Sequence, residues 1–335
     1  MKAIQVDKVG GELKLVELEI PNPPAGWVRI KIRACGVCHS DSMMLTGLWP
    51  ATAYPRIPGH EVAGVIDALG EGVHLWKVGQ PVGVGWYGGH CGECIACRRG
   101  NFVYCRFAKI SGFTQDGGYA EYMVTPKESL ALIPDGLPFE EAGPLMCAGV
   151  TTFNALRHSG AMPGDLVAIQ AIGGLGHLAV QFASRAGYRT VAISRGKEAE
   201  ALSLKLGAHA YLDSDAVDAA AELQKMGGAT VILSTAPSGK AMSGMIDGLG
   251  DGGLLLVIGA AGDPIQVAPA QLIGRQKEIK GWYSGIATDS EDTMNFSALT
   301  GVRPMIETYP LEQAPEAYAR MMSGKATFRV VLNIS

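Results

Sequence analysis

Residues 166–186 read LVAIQAIGGLGHLAVQFASRA. Leu166–Ala171 is apolar but for Gln170, as expected of a strand buried on both faces, and His177–Ala186 carries its apolar residues at helical spacing. Between them lies the turn Ala171-Ile-Gly-Gly-Leu-Gly176. In a strand–glycine turn–helix unit, a dinucleotide pyrophosphate can approach bare backbone at a helix N-terminus. The first glycine of the G-x-G-x-x-G pattern is Ala171 here, so the strict pattern fails, but Gly173, Gly174 and Gly176 remain.

Downstream the alternation continues. Strands are expected at Thr190–Ser194, Ala210–Leu212, Thr230–Ser234, Gly252–Ile258 and Glu278–Trp282, with helices at Glu198–Leu206, Ala216–Met226 and Gly239–Leu249. This order predicts a doubly wound parallel sheet of about six strands. Upstream the pattern is β. Ala3–Asp7, Leu13–Leu18 and Val28–Arg33 alternate apolar and polar residues, and Val62–Leu69 and Pro81–Gly85 are more continuously apolar. A small barrel or folded sheet with long loops is expected there. Asp289–Ser335 reads helix, strand, helix, strand and is expected to return to the first domain. The expected division is 1–150 completed by 286–335, and 151–285.

The end of the second strand of the parallel sheet bears on the cofactor. NAD binding calls for a carboxylate on the ribose about 20 residues beyond the glycine turn. Ala192-Ile-Ser194-Arg195-Gly-Lys197 offers a hydroxyl, a guanidinium and an ammonium instead. These suit the 2′-phosphate of NADP, which arginine grips bidentately. NAD is the alternative, with Arg195 and Lys197 merely solvated.

Six of the seven cysteines fall into two groups. Cys91, Cys94, Cys97 and Cys105 form a C-x2-C-x2-C-x7-C run, CGECIACRRGNFVYC, suited to closing a tetrahedral structural zinc shell. An iron–sulfur cluster or two disulfides are the alternatives. The ferredoxin-type run has a shorter last spacing and a following proline, where this chain has Arg106. Cys38, His60 and Cys147 are a weaker signal, since each taken singly has a structural reading. Together they would form a three-ligand zinc site with an open position. Asp41, three residues past Cys38, is placed to hold the free nitrogen of His60, and Glu61 to lie behind the metal or act as a transient ligand. Cys35 reads as a core residue.

The formal net charge of −4 and the lack of a long basic run make nucleic acid and anionic membranes poor partners. No apolar stretch reaches the roughly 20 residues of a membrane helix. The N-terminus lacks a signal-peptide core, so reduced thiols and a cytoplasmic location are expected.

With GVCHSD (36–41), GHEVAGVI (59–66), the four-cysteine lobe, DGGYAEY (116–122), CAGVTTF (147–153) and GGLGHLAVQFA (173–183), the chain resembles the zinc-dependent medium-chain alcohol dehydrogenases over nearly its whole length. The resemblance implies a GroES-like β-rich catalytic domain interrupted by a Rossmann domain, two zinc ions per chain and a homodimer or homotetramer. It implies Cys38, His60 and Cys147 as catalytic zinc ligands and Ser40 as the hydroxyl that accepts the substrate's proton. It further implies His39 at the cofactor pyrophosphate, Thr151 and Leu175 at the nicotinamide, and Arg329 as a cofactor-binding arginine. Two positions depart from many relatives: Met43 stands where a proton-relay histidine is common, and Ala287 where yeast-type enzymes carry an arginine.

The expected reaction is hydride transfer between NAD(P)(H) and a small alcohol or aldehyde. Leu48, Trp49 and Trp86 read as walls of the substrate pocket, and two tryptophans favour a primary, allylic or benzylic alcohol. A polyol or sugar dehydrogenase of the same superfamily is the alternative enzyme. A non-catalytic zinc- and nucleotide-binding protein is the alternative of a different class.

Overall fold

The computed structural model describes residues 1–335. The chain divides into two compact units, Met1–Cys147 with Gly285–Ser335, and Ala148–Ser284. The divisions expected after residues 150 and 285 thus fall after 147 and 284.

The second unit is a six-stranded sheet in the order Ala210–Asp213, Arg189–Ser194, Leu166–Gln170, Ala229–Ser234, Leu249–Val257, Glu278–Gly281. Every neighbouring pair is parallel. All five residues of Leu166–Gln170 are buried, which is why this strand shows no apolar–polar alternation. The helix Gly176–Arg185 buries Leu178, Val180 and Phe182, with the Phe182 ring 5.3 Å from Phe153 of the helix Val150–Arg157. In sequence order the strands run 3-2-1-4-5-6, so the glycine turn leaves the sheet at its topological switch point, where nucleotides bind in such folds.

Two helices differ from expectation. The helix expected from Ala216 starts at Ala219, because the Asp218 carboxylate accepts the Ala220 and Ala221 N–H groups at 3.0 and 3.1 Å and caps it there. The helix expected over Gly239–Leu249 stops at Ser243, just before Gly244, a poor helix former. A single 3-10 turn, Ile246–Gly248, leads into the next strand.

In the first unit a seven-stranded sheet is built around the long strand Trp27–Val37. Its first half alternates half-buried and buried residues, while its last four are all buried as the chain runs toward Cys38. Ile30 and Ile32 are fully buried in the core, worth about 1.5–3 kcal/mol each. Val62–Leu69 pairs antiparallel along one side of the long strand, and Arg329–Asn333 pairs antiparallel with its end, Ala34–Val37. The C-terminal stretch therefore completes the first sheet as a central strand, itself flanked by the parallel strand Ile306–Pro310. A separate hairpin-like pair joins Lys2–Gln5 to Lys14–Glu17. No helix is long and apolar enough to cross a membrane.

The C-terminal elements are tied together by Glu307. It takes Arg320 Nε at 2.8 Å and Arg320 Nη2 at 3.0 Å, together with the Thr327 N–H at 2.9 Å. The Arg320 pairing and that N–H hold its carboxyl at about 2. A carboxylate with a depressed folded value stabilises the fold above its unfolded range, near pH 4.5, and the contribution disappears as pH falls toward about 2. Glu307→Gln is therefore expected to lower the melting temperature at pH 6.5, with the gap to wild type narrowing by pH 3. A gap independent of pH in thermal scans would contradict this.

Candidate active site and metal centres

Cys38, His60, Glu61 and Cys147 converge, each offering one ligand atom within 4.8 Å of all the others. Three different segments deliver them. Cys38 follows the long strand directly, and His60-Glu61 directly precede the strand Val62–Leu69 that pairs with it. Cys147 sits in a π-helical turn, Leu145–Gly149, a widened helix geometry common at functional sites. The carbonyl of Glu61 accepts the Gly36 N–H at 3.0 Å, and a Cβ on Gly36 would run into the Glu61 carboxylate, so close approach requires glycine there.

Asp41 opens the short helix Asp41–Leu45, and its Oδ1 lies 2.9 Å from His60 Nδ1. His60 therefore turns Nε2 toward the thiols. Nε2 and Glu61 Oε2 are both buried without a hydrogen-bond partner. The Cys38 and Cys147 sulfurs are 4.0 Å apart. Tetrahedral zinc with bonds of about 2.3 Å places two thiolate sulfurs roughly 3.8 Å apart, so this donor set fits the ion. Two sulfurs, an unpartnered imidazole nitrogen and an unpartnered carboxylate oxygen facing one buried point are what a divalent cation satisfies.

The electrostatics are those of a cluster sharing protons. Hydrogen bonding from Cys147 holds the Cys38 thiol well below its ordinary range despite burial, while Cys38 and burial push Cys147 well up. Burial disfavours a charged His60, but Asp41 and Cys38 outweigh it and raise the imidazole well above its ordinary value. Burial lifts Glu61 to about 7, with Arg329 offsetting only part of the effect. Metal uptake displaces such protons and is accordingly pH-dependent.

Arg329, expected among the cofactor contacts, is buried and donates from Nη2 to Glu61 Oε1. The aromatic residues form one cluster at the same place. Trp86 stands edge-on to His60 at 5.1 Å and edge-on to Trp49 at 5.7 Å, and Phe113 lies 4.8 Å from Trp86. Met43 packs against this cluster. Leu48 is 70% exposed and stands apart from the buried aromatics. His39 is exposed and Ser40 half-exposed, between Cys38 and Asp41.

The second cysteine group is equally ordered. Sulfur separations are 3.5 Å for Cys94–Cys97, 3.6 Å for Cys105–Cys91 and 3.9 Å for Cys91–Cys97. These are far longer than a disulfide bond and close to the edge of a zinc–thiolate tetrahedron. The Cys91 N–H points at Cys105 Sγ and the Cys94 N–H at Cys91 Sγ, each at 3.4 Å. A backbone N–H draws Cys94 down to about 6, whereas burial lifts Cys97 to about 12.

In the second unit, Ala171 has φ +68°, so it adopts the left-handed conformation that the pattern's missing first glycine would take. Its carbonyl is held by Thr235 Oγ1 at 2.8 Å, and a Cβ on Gly176 would collide with it. A Cβ on Gly173 would meet only open space, the property needed where a ligand approaches backbone. Leu175 and Thr151 are half-buried, at the start of the helices Gly176–Arg185 and Val150–Arg157. Ser194, Arg195 and Lys197 share one loop, with Arg195 and Lys197 exposed. Gly196 anchors that loop: its N–H reaches Asp213 Oδ1 at 2.8 Å, and its carbonyl accepts Tyr211 Oη at 2.5 Å.

Sequence reasoning missed four residues here. They are Asp213 and Tyr211, which hold Gly196 of the Ser194–Lys197 loop from the next strand, Phe113 in the aromatic cluster, and Tyr119, which donates to Asp41. Only Tyr119 had a signal, its place in DGGYAEY.

The fold and this donor set define a metal-binding dehydrogenase. Residues 24–135 match the family model described as alcohol dehydrogenase GroES-like domain, and residues 174–299 match that of zinc-binding dehydrogenase. The chain is 45% identical to alcohol dehydrogenase patD of Penicillium expansum, covering 97% of this chain and 95% of that one. A cinnamyl alcohol dehydrogenase of Sorghum bicolor superposes with a TM-score of 0.89 at 28% identity, covering 99% and 97% of the two chains. CAD from Helicobacter pylori, complexed with NADP(H), superposes with a TM-score of 0.84 at 26% identity over 99% and 97%. The chain belongs to the zinc-dependent medium-chain alcohol dehydrogenases, oxidoreductases that use a nicotinamide cofactor. The Cys2His set with an open position is the one by which catalytic zinc in alcohol dehydrogenases is generally described.

Cys147→Ser is expected to remove one zinc ion of two while leaving the melting temperature near that of wild type. Cys94→Ser is expected to remove the other and to lower the melting temperature, because a structural site contributes folding free energy. Zinc analysis beside thermal scans checks both, and a single zinc in wild type would contradict the two-site expectation.

Proposed function

We propose that this enzyme interconverts a primary, allylic or benzylic alcohol and its aldehyde, uses one catalytic and one structural zinc ion per chain, and favours NADP(H). The observation that carries the metal reading is the convergence of Cys38, Cys147 and the unpartnered His60 Nε2 on one buried point. Zinc, when bound, supplies a Lewis acid that lowers the pKa of a coordinated hydroxyl. The nicotinamide supplies the hydride acceptor or donor.

The chain's own residues take the remaining tasks. Ser40, half-exposed beside Cys38, accepts the substrate hydroxyl's proton. Met43 cannot carry that proton onward, so the cofactor ribose, the exposed His39 or water takes it. Glu61, lifted to about 7 and with Oε2 unpartnered, is the group able to approach the metal transiently. Trp49 and Trp86, set edge-on to each other, supply apolar walls whose polar atoms are limited to one indole N–H donor each, with no acceptor for further substrate hydroxyls. That supports a flat monoalcohol over a polyol. Arg329 supports the site by pairing with Glu61. A homodimer or homotetramer is proposed from the family resemblance.

The NADP(H) preference rests on Ser194, Arg195 and Lys197. Asp213 on the neighbouring strand brings a carboxylate to this loop, as does Glu198 within the chain that follows it, and Asp213 Oδ1 is occupied by the N–H groups of Gly196 and Asp215 at 2.8 and 3.0 Å. A charge-assisted hydrogen bond to phosphate contributes about 1.5–3 kcal/mol. Arg195→Ala is therefore expected to lower kcat/KM for NADPH by about tenfold or more, with little effect on NADH. Ser194→Asp combined with Arg195→Ala is expected to reverse the preference. The deciding measurement is wild-type kcat/KM for NADPH and NADH on one aromatic aldehyde. A clear NADH preference would refute the cofactor assignment, and failure to turn over any aromatic or allylic aldehyde would refute the substrate class.

A further inference from the structure

The motif DGGYAEY carries no role in the chemistry described above, yet its first residues are bound to the segment that delivers His60. Asp116 Oδ1 accepts Arg56 Nη1 at 2.8 Å and the Ile57 N–H at 3.1 Å. The next three N–H groups then pair with the same segment: Gly117 with the Ile57 carbonyl at 2.8 Å, Gly118 with Gly59 at 3.0 Å, and Tyr119 with Pro58 at 3.0 Å. The approach is too close for side chains. A Cβ on Gly117 would run into the Gly59 carbonyl, and one on Gly118 into Val62 and Cys35. Gly59, at φ +99°, has no room for a Cβ because the Tyr119 ring passes over it.

Tyr119 is fully buried, and its hydroxyl donates to Asp41 Oδ2 at 2.9 Å. The same oxygen accepts the Cys38 N–H at 3.0 Å, and Asp41 Oδ1 faces His60 Nδ1 at 2.9 Å. Asp41 and His60 are 1% and 0% exposed, so the tyrosine hydroxyl cannot be replaced by bulk water. A carboxylate behind a metal-binding histidine sets the orientation and basicity of the imidazole. Here that carboxylate is held by one backbone donor and one side-chain donor, and only the side-chain donor can be changed by substitution.

We propose that Tyr119 is a positioning residue for the catalytic metal: through Asp41 its hydroxyl fixes the plane of the His60 imidazole, and DGGY is the brace that fixes Tyr119 relative to His60. This rests on the reading of Cys38, His60 and Cys147 as the catalytic zinc site.

Tyr119→Phe removes the hydroxyl and keeps the ring that packs on Gly59. The test uses the full-length enzyme loaded with zinc, and a second preparation carrying cobalt(II) in the catalytic site. Outer-sphere partners of this kind govern metal affinity by roughly 10–100-fold. The variant is expected to release one zinc ion about tenfold faster to a chromophoric chelator. The release rate of the other zinc should be unchanged, and the cobalt d–d bands should shift. Asp41→Asn should cause the same kind of change, and the double variant should be no worse than Asp41→Asn alone, because the tyrosine acts through Asp41. A folded Tyr119→Phe enzyme with wild-type release rates and an unshifted cobalt spectrum overturns the inference. If Tyr119→Phe does not fold, 3-fluorotyrosine placed at 119 gives a more acidic donor of nearly the same shape; a cobalt spectrum identical to wild type then overturns it. A wild-type enzyme that binds no metal at Cys38, His60 and Cys147 overturns the underlying site reading, and this inference with it.

Discussion

Arg329 and Glu61 are 268 residues apart in sequence and form a buried ion pair. Burying either charge alone would be strongly unfavourable; removing one partner of such a pair generally costs about 3–5 kcal/mol. The pair therefore couples two events that could otherwise occur separately: docking of the C-terminal strand Arg329–Asn333 beside Ala34–Val37, and formation of the turn that carries His60. The long strand Trp27–Val37 lies between them and ends one residue before Cys38. A fold in which the last strand is out of register would leave Glu61 without its arginine and the metal-binding set without its backing. This constraint makes the discontinuous first unit a single cooperative sheet.

The site built on that frame is organised in layers of decreasing exposure to chemistry. The sulfurs of Cys38 and Cys147 and the His60 Nε2 face one point; Asp41 and Glu61 stand behind His60 and beside the metal position. Arg329 and Tyr119 stand behind those carboxylates. Arg329 pairs Glu61 Oε1, and Tyr119 gives Asp41 Oδ2 a second donor beside the Cys38 N–H, while Glu61 Oε2 and His60 Nε2 stay unpartnered at the metal position. Trp86 and Phe113 pack their rings near His60 and give the site an apolar flank, which lowers the local dielectric and strengthens the charge interactions beside it.

The nucleotide-binding unit solves a different problem with backbone geometry. Its strand order brings the glycine turn to the switch point of the sheet. Ala171 departs from the usual glycine and still takes the positive φ, at a conformational cost that the Thr235 contact to its carbonyl helps to offset. Gly176 could not be replaced in the same way, because its Cβ would meet the Ala171 carbonyl. The loop of Ser194–Lys197 is held by Tyr211 and Asp213 on the neighbouring strand, which take the carbonyl and the N–H of Gly196.

What the sequence by itself determined is whatever depends on near neighbours along the chain. The four-cysteine run encloses its own ligand shell within 15 residues, since Cys91 and Cys105 differ by 14. Strand, glycine turn and helix succeed one another in 166–186, and Asp41 lies within one short turn of Cys38. The alternation of strands and helices between 166 and 282 was legible because short, largely apolar runs, buried almost throughout as strands, alternate with segments whose apolar residues fall at helical spacing. Helix ends were less so: the start at Ala219 depends on the Asp218 cap, and the stop at Ser243 on the glycine that follows. Only the tertiary structure decided that Arg329 faces Glu61, that Tyr119 holds Asp41 and that Asp213 anchors Gly196. Each of these contacts joins different strands or loops, and a hydrogen bond of about 3 Å depends on how the sheets bring those segments together, which no local pattern of residue types encodes.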